Sequence, residues 1–318
     1  MTRVAAVDCG TNSIRLLISE VQADGKIRDI VRTMEIVRLG QGVDATGEFA
    51  PEALERTRVA LEGYVKQMKF EKVQRVRMVA TSATRDAKNQ DEFFEMTAQL
   101  LGQIESGAKA EAITGEEEAL LSFKGAVADL RFERGPYCVI DLGGGSTEFV
   151  VGTIDGDILG AHSAQMGCVR LTERIMRTDP PTDSEIEIAE DYVEERMQEV
   201  EKIVPISSAK TFVGCAGTFT TLSALAQGLE SYDPDAIHGS ELRFDALRVL
   251  TRQLMGKPSA TRALNPVIHP GRADVIGGGS VAVEGIIKMI ERNSDASSFF
   301  ISEKDILDGI VAGIAADL

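Results

Sequence analysis

One segment type occurs twice in this chain and restricts its architecture more than any other feature. Val4-Ala5-Ala6-Val7-Asp8-Cys9-Gly10-Thr11-Asn12-Ser13 precedes an apolar run from Ile14 to Val21. Tyr137-Cys138-Val139-Ile140-Asp141-Leu142-Gly143-Gly144-Gly145-Ser146-Thr147-Glu148 precedes a second run, Phe149 to Ile154. Each copy reads as a buried strand, an Asp, a Gly-rich turn with Ser or Thr, and a second strand. A hairpin signal follows each, Ala23-Asp24-Gly25-Lys26 and Ile154-Asp155-Gly156-Asp157. The two aspartates lie 133 positions apart. That is too long for a solenoid repeat and points to two related domains facing each other. Glycines let backbone N–H groups turn toward an anion, and an Asp can hold a divalent cation. The pattern suits gripping a phosphate from two sides.

The 318 residues fit two medium domains, and a hydrophobic content of 43% allows each a proper core. A formal charge of −16 argues against a surface that binds nucleic acid through bulk charge. Much of the acid is local: between Asp183 and Glu201 there are nine acidic residues, with Arg196 the only base. Ile186, Ala189, Val193, Met197, Val200 and Val204 recur there at helical spacing, so these acids form the wet faces of a helix. Thr182 and Glu185 read as its capping box. Cys9, Cys138, Cys168 and Cys215 are widely spaced, so reduced thiols and a cytoplasmic location are expected rather than zinc or disulfides. The N-terminus shows no signal-peptide pattern. Thr211 to Leu229 is uncharged and of membrane length, but Gly214, Gly217 and Gly228 interrupt it, and a membrane span is rejected.

Three hairpin-linked strands open the chain, near Val4–Asp8, Ile14–Val21 and Lys26–Val37. A helix begins at Pro51, with Leu54, Arg58, Leu61, Val65 and Met68 along one side. A strand from Arg75 to Thr81 leads into Ser82-Ala83-Thr84-Arg85-Asp86. The next helix starts near Asn89, with Glu92 three residues on and Phe93, Leu100 and Ile104 as its stripe. A strand near Ala108–Ile113 precedes a third helix carrying Leu120, Phe123, Val127 and Leu130. The order β-β-β-α-β-α-β-α is that of a ribonuclease-H-like α/β unit with a mixed sheet, and it restarts at Tyr137. There Leu171–Arg177 precedes the acidic helix, and strand Thr211–Cys215 leads into a helix at Phe219–Ala226. Residues 262–271 read as loop, and Arg272–Ile290 as a helix interrupted at Gly277-Gly278-Gly279, a triplet that close helix packing also explains. A last amphipathic helix, Asp305–Leu318, is expected to pack back on the first domain. The domains expected are 1–125 with 303–318, and 126–302.

Five segments then occur in order: Asp8–Ser13, Thr81-Ser82-Ala83-Thr84-Arg85-Asp86-Ala87, Gly115-Glu116-Glu117-Glu118-Ala119, Asp141–Glu148 and Gly214-Cys215-Ala216-Gly217-Thr218. Together they resemble the exopolyphosphatase/guanosine-pentaphosphate phosphatase family of the actin–sugar kinase–heat-shock-protein 70 superfamily, in its short form without a C-terminal helical domain. The resemblance implies two ribonuclease-H-like domains of the actin-like ATPase fold with the active site in the cleft between them. It also implies that Glu118, the last Glu before the Ala, is the catalytic base. On helical spacing, Glu116 falls with Leu120, Phe123, Val127 and Leu130, and Glu118 points nearly opposite, toward a cleft or toward water. Thr114 and Glu117 read as a capping box.

Asp8, Asp141 and Glu148 are the candidate metal ligands, with Mg²⁺, or Mn²⁺ in its place, held through carboxylates, waters and substrate phosphates. An Asp in such a turn also serves as its internal hydrogen-bond acceptor. Gly10, Thr11, Asn12, Ser13, Gly143, Gly144, Gly145, Ser146, Gly217 and Thr218 are the candidate phosphate donors. Arg85 follows the C-terminal end of a strand, where α/β sheets place ligands, and is expected to stabilise charge on the transferred group; the competing reading is an ion pair with Asp86. Arg252, Lys257, Arg262, Arg272 and Lys288 form a basic cluster suited to lining a polyanion path, or a scatter of solvated charges. His162, His238 and His269 have no triad or metal spacing.

The activity expected is Mg-assisted release of terminal orthophosphate from inorganic polyphosphate, with guanosine pentaphosphate as the alternative substrate. An ATP-dependent kinase or chaperone, or a non-catalytic sensor of guanosine tetra- or pentaphosphate, are the remaining readings of the same fold. The partners expected are these phosphate substrates, without nucleic acid or membrane, and a homodimer is left open.

Overall fold

The computed structural model describes residues 1–130 and 135–318, and their contacts divide them into two compact units, 1–125 with 306–318 and 126–305. Unit 1 begins with β1 (Thr2–Cys9), β2 (Ser13–Val21) and β3 (Ile27–Ile36), a hairpin-linked antiparallel set. After the short α1 (Val43–Thr46) comes α2 (Pro51–Phe70), with Pro at its first position, where the missing N–H has no intrahelical partner to lose. It buries Ala53, Thr57, Leu61, Tyr64, Val65 and Met68. Strand β4 (Arg75–Ala80) pairs parallel with β1 and runs into α3 (Ser82–Asp86), a helix absent from the sequence reading.

Helix α4 (Gln90–Leu101) fully buries Phe93, Thr97 and Leu101, and Leu100 and, just beyond its end, Ile104 are half-buried against the same core. Its preceding Asn89 does not cap it: Oδ1 accepts from Phe49 N at 2.8 Å, tying down the loop before α2 instead. Strand β5 (Ala110–Ala112) and α5 (Gly115–Val127) complete the first pass. The sheet order is β3-β2-β1-β4-β5.

Unit 2 repeats this plan. Strands β6 (Tyr137–Leu142), β7 (Thr147–Gly152) and β8 (Ile158–Ala164) form the antiparallel set. Helix α6 (Cys168–Arg174) starts three residues earlier than the expected Leu171. Helix α7 (Asp183–Ile203) is the acidic helix, with both halves of the Thr182–Glu185 capping box in place. Strand β9 (Thr211–Cys215) pairs parallel with β6 and leads into α8 (Ala216–Ala226). The short α9 (Pro234–Ile237), β10 (Glu241–Arg243) and α10 (Phe244–Met255) follow, then the short α11 (Ser259–Arg262), α12 (Ile276–Asn293) and β11 (Ser298–Ile301). The order β10-β11-β9-β6-β7-β8 repeats that of unit 1, with β11 in the place of β5 and β10 added at the edge. Helix α13 (Ile306–Ala316) returns to unit 1, where Ile306, Leu307, Ile310, Val311 and Ile314 pack with Val4, Ala6 and Leu17.

Helix α12 corrects the expectation of a break at Gly277–Gly279, because all three glycines lie inside a continuous helix. A Cβ on Gly278 would sit 2.6 Å from Cys168 O, and one on Gly279 would sit 2.7 Å from Thr218 Oγ1. The triplet lets α12 press against the starts of α6 and α8. Residues missing a side chain here fix where two segments of the site begin.

Candidate active site

In unit 1 the turn after β1 is closed by Gly10 N donating to Ser13 O at 2.9 Å. Segment 37–40 holds the turn from outside: Gly40 N donates to Thr11 O, and Val37 N and Arg38 N donate to Asn12 O, at 2.8–3.1 Å. In a planar trans peptide the N–H points opposite to the C=O. The N–H groups of Asn12 and Ser13 are therefore directed away from that segment. Asp8, 5% exposed, lies opposite Arg15 across the ladder, and Arg15 donates to its Oδ2 through Nε at 3.0 Å and Nη2 at 2.7 Å. Arg15 escaped the sequence reading, although any four-residue turn places positions 8 and 15 opposite each other.

Arg85, on α3, does not pair with Asp86 in the way the sequence allowed. Its Nη1 donates to Glu118 Oε2 at 2.8 Å and to Ile113 O at 3.0 Å. Its Nη2 is buried with no hydrogen-bond partner among the described residues, an arrangement that costs about 1–3 kcal/mol unless an acceptor arrives. A phosphate oxygen is such an acceptor, and guanidinium matches it bidentately.

The face of α5 differs from the helical reading. Leu120 is 37% exposed, whereas Glu118 is 9% exposed and shares the inward side with Ala119, Ser122 and Phe123. Glu118 is thus a buried carboxylate on the core-facing side, held by Arg85, because the helix turns Glu116 and Leu120 outward together. Thr114 Oγ1 accepts from Glu117 N, but the Glu117 carboxylate accepts from Arg77 at 2.7 Å rather than serving a reciprocal box.

Unit 2 builds the same turn, with Gly143 N donating to Ser146 O at 3.0 Å. Here α6 supplies the outer hold. Cys168 N donates to Gly143 O, Val169 N and Arg170 N donate to Gly144 O, and Arg170 Nε donates to Gly145 O at 2.7 Å. Three consecutive carbonyls thus point at α6, so the N–H groups of Gly144, Gly145 and Ser146 point away from it as an anion nest. Gly167 is required below this turn, since a Cβ there would lie 2.6 Å from Gly145 N and closer still to the Gly144 carbonyl.

The position matching Arg15 is Glu148, so Asp141 faces another carboxylate across the ladder. Both are buried, at 7% and 1% exposure. Ser146 Oγ and Ser163 Oγ each donate to Glu148 Oε1 at 2.7 Å. Like charges directly opposite in a sheet are destabilising unless something positive comes between them. Among the described residues no group of three or more His, Cys, Asp or Glu is placed to hold a metal. An ion held by Asp141 and Glu148 would have to complete its shell with water and substrate oxygens, a donor set that suits Mg²⁺.

Ala216 opens α8 with φ 68, a left-handed conformation costing roughly 1–2 kcal/mol for a residue with a Cβ. Such strain is typical of functional turns. It places Gly217 and Thr218 in the first turn, whose N–H groups lack intrahelical acceptors. The Arg272 guanidinium lies against Gly217: a Cβ there would be 2.7 Å from both Nη1 and Nη2. The rest of the basic cluster is dispersed. Arg262 is 3% exposed and donates to Lys257 O and Ala273 O, Lys288 pairs with Glu190 at 3.6 Å, and Arg252 and Lys257 are exposed. Arg262 serves the fold rather than a polyanion path. His238 Nδ1 accepts from Glu303 N, and His269 Nδ1 from Gly271 N, which are structural roles.

Two units of one sheet order, each with an Asp and an N–H-lined turn at the end of its first strand, define an actin-like protein built to handle phosphate. The particular family follows from comparison: the model of the Ppx/GppA phosphatase family matches residues 17–312, and this chain belongs to that family. It is 51% identical to exopolyphosphatase 2 of Mycobacterium tuberculosis, over 99% of each chain. Its fold matches the crystal structure of an exopolyphosphatase-like protein with a TM-score of 0.92 at 38% identity, covering 99% of both chains. It matches the Aquifex aeolicus member of the Ppx/GppA family with a TM-score of 0.79 at 32% identity, over 99% of this chain and 98% of the other. Among the described residues no helix is long and apolar enough to cross a membrane.

Proposed function

We propose that this protein is an exopolyphosphatase, hydrolysing the terminal phosphoanhydride of inorganic polyphosphate to release orthophosphate. The observation that carries the reading is the outward-facing row of N–H groups at Gly144, Gly145 and Ser146, fixed from behind by α6. The likeness to exopolyphosphatase 2 supports polyphosphate as the substrate. Guanosine pentaphosphate ends in the same type of anhydride and is the second substrate to be compared.

Glu118 is assigned as the general base that takes a proton from the attacking water, and Arg85 fixes its carboxylate through Nη1. The unpartnered Nη2 of Arg85 is assigned to an oxygen of the transferred phosphoryl group, where it stabilises charge as the bond breaks. Gly10, Thr11, Asn12 and Ser13 in unit 1, and Gly143, Gly144, Gly145, Ser146, Gly217 and Thr218 in unit 2, are assigned to phosphate oxygens. Asp141 and Glu148 would hold Mg²⁺, or Mn²⁺, with Asp8 as the corresponding carboxylate of unit 1. The ion would supply charge neutralisation on the phosphate oxygens. Phosphoryl transfer depends mainly on positioning and electrostatics, which buried, hydrogen-bonded groups provide. The test is phosphate release from polyphosphate by the purified protein and by Glu118→Gln. A loss of about 10²–10⁴-fold in kcat is expected for a general base; near-normal turnover in the variant removes Glu118 from that role.

A further inference from the structure

A series of facing positions across the strands differs between the two turns, although the units share one plan. In unit 1 the series is Asp8, then Arg15 opposite it on β2, then Met34 opposite Arg15 on β3. In unit 2 it is Asp141, then Glu148 on β7, then Ser163 on β8. Arg15 turns back on Asp8 and donates to it, and Met34 beyond carries no hydroxyl. In unit 2 a second carboxylate follows the first, and the residue beyond it is a donor. The difference bears on how a cation is held as well as on whether one is held.

The Ser146 and Ser163 hydroxyls go to one and the same oxygen of the buried Glu148, each donating to Oε1 at 2.7 Å. A carboxylate oxygen offers about two lone-pair sites, so two donated hydrogen bonds take up Oε1. Relief of a buried charge would be served equally by one donor on each oxygen. Convergence on a single oxygen leaves a cation to meet Glu148 through Oε2. It also commits the Ser146 hydroxyl to Glu148, so that Ser146 brings its N–H to the phosphate nest.

We propose that Ser163 sets the ion preference of this turn: by holding Oε1 jointly with Ser146, it makes Glu148 a one-oxygen ligand and selects Mg²⁺ or Mn²⁺ over Ca²⁺. The inference rests on the assignment of Asp141 and Glu148 to the cation. Mg²⁺ demands a nearly regular octahedron at about 2.0–2.1 Å. Ca²⁺ takes about six to eight oxygens at about 2.3–2.6 Å and accepts a carboxylate through both of its oxygens. The two oxygens of one carboxylate lie too close together to fill neighbouring corners of the small octahedron, so Mg²⁺ loses nothing when Oε1 is taken. Ca²⁺ loses the two-oxygen grip that it would otherwise gain from Glu148. Ser163 is thus a specificity residue that acts through Glu148.

Mn²⁺ titration followed by electron paramagnetic resonance, with Mg²⁺ and Ca²⁺ as competitors, tests this on the full chain without turnover. Mn²⁺ is expected to bind the wild type, to be displaced by Mg²⁺ at lower concentration than by Ca²⁺, and to lose its site in Glu148→Gln. Ser163→Ala returns one lone pair of Oε1. Hydrogen-bond partners of a metal ligand shift affinity by about 10–100-fold, and this variant is expected to move the ratio of the two competitors toward Ca²⁺ by about tenfold. Ser163→Thr keeps the hydroxyl and should keep the wild-type ratio. A ratio of two ions in one sample does not depend on the folded fraction, so lost stability cannot imitate the shift. A wild type that does not bind Mn²⁺, or a Glu148→Gln variant that binds it as well, overturns the metal assignment and this inference with it. Binding that Glu148→Gln abolishes, with a wild-type preference for Ca²⁺ or a ratio that Ser163→Ala leaves unmoved, overturns this inference alone.

Discussion

Gly167→Ala displaces the unit 2 turn from behind without removing any group proposed to contact substrate. The new Cβ would lie 2.6 Å from Gly145 N, whereas ordinary contact begins at 3.4 Å. The neighbouring atoms are backbone and cannot rotate away, so the Gly143–Ser146 turn must move by about 1 Å. Overpacking of this kind costs about 1–3 kcal/mol, which lowers the melting temperature of a unit this size by several degrees. A displacement of about 1 Å in groups that position a reacting phosphate costs about 10²-fold in kcat. Malachite-green measurement of phosphate release from polyphosphate, alongside a thermal melt, reads both effects. A variant that melts lower yet keeps kcat within about twofold would separate the turn from catalysis and refute its assignment. An unchanged melting temperature would refute the contact itself.

Arg85→Lys keeps the charge but loses the planar fork that spans Glu118 and the proposed phosphate oxygen, so kcat should fall at least about tenfold in steady-state assays. All four cysteines are buried, and burial pushes the Cys168 thiol up to about 11, so native protein should react slowly with a thiol-specific disulfide reagent at pH 8 and rapidly once denatured. The Glu185 carboxyl is held down to about 2, chiefly by the Thr178 hydroxyl and the Thr182 backbone N–H. A depressed carboxylate contributes stability above its unfolded value of about 4.3 and loses it as pH falls toward the folded value. The melting-temperature gap between wild type and Glu185→Gln should therefore be full at neutral pH and close between about pH 4.5 and pH 2.

The parts of the fold written in local pattern were legible from sequence. Both Gly turns close with the same N–H to carbonyl bond, at Gly10 and Gly143, because the motif is self-contained within four residues. The Thr182–Glu185 box is likewise local. What escaped depends on distant packing. The Gly277–Gly279 triplet reads as an interruption or as a close-packing site, and only the contacts with α6 and α8 decide for packing inside a continuous helix. The inward face of α5 was misread because Leu120, an apolar residue, points outward while Glu118 is drawn inside by Arg85. Strands β10 and β11 have three and four residues, too few to show a period. Ser163 and Arg170 reach their partners 15 and 25 positions away, so no motif around Glu148 or Gly145 announces them.

The chemistry of the substrate is decided by kcat/KM for phosphate release from inorganic polyphosphate against guanosine pentaphosphate, measured with one preparation and saturating Mg²⁺. A higher value is expected for polyphosphate, lost in Glu118→Gln. Phosphate release from guanosine pentaphosphate alone, or from neither substrate, would contradict it.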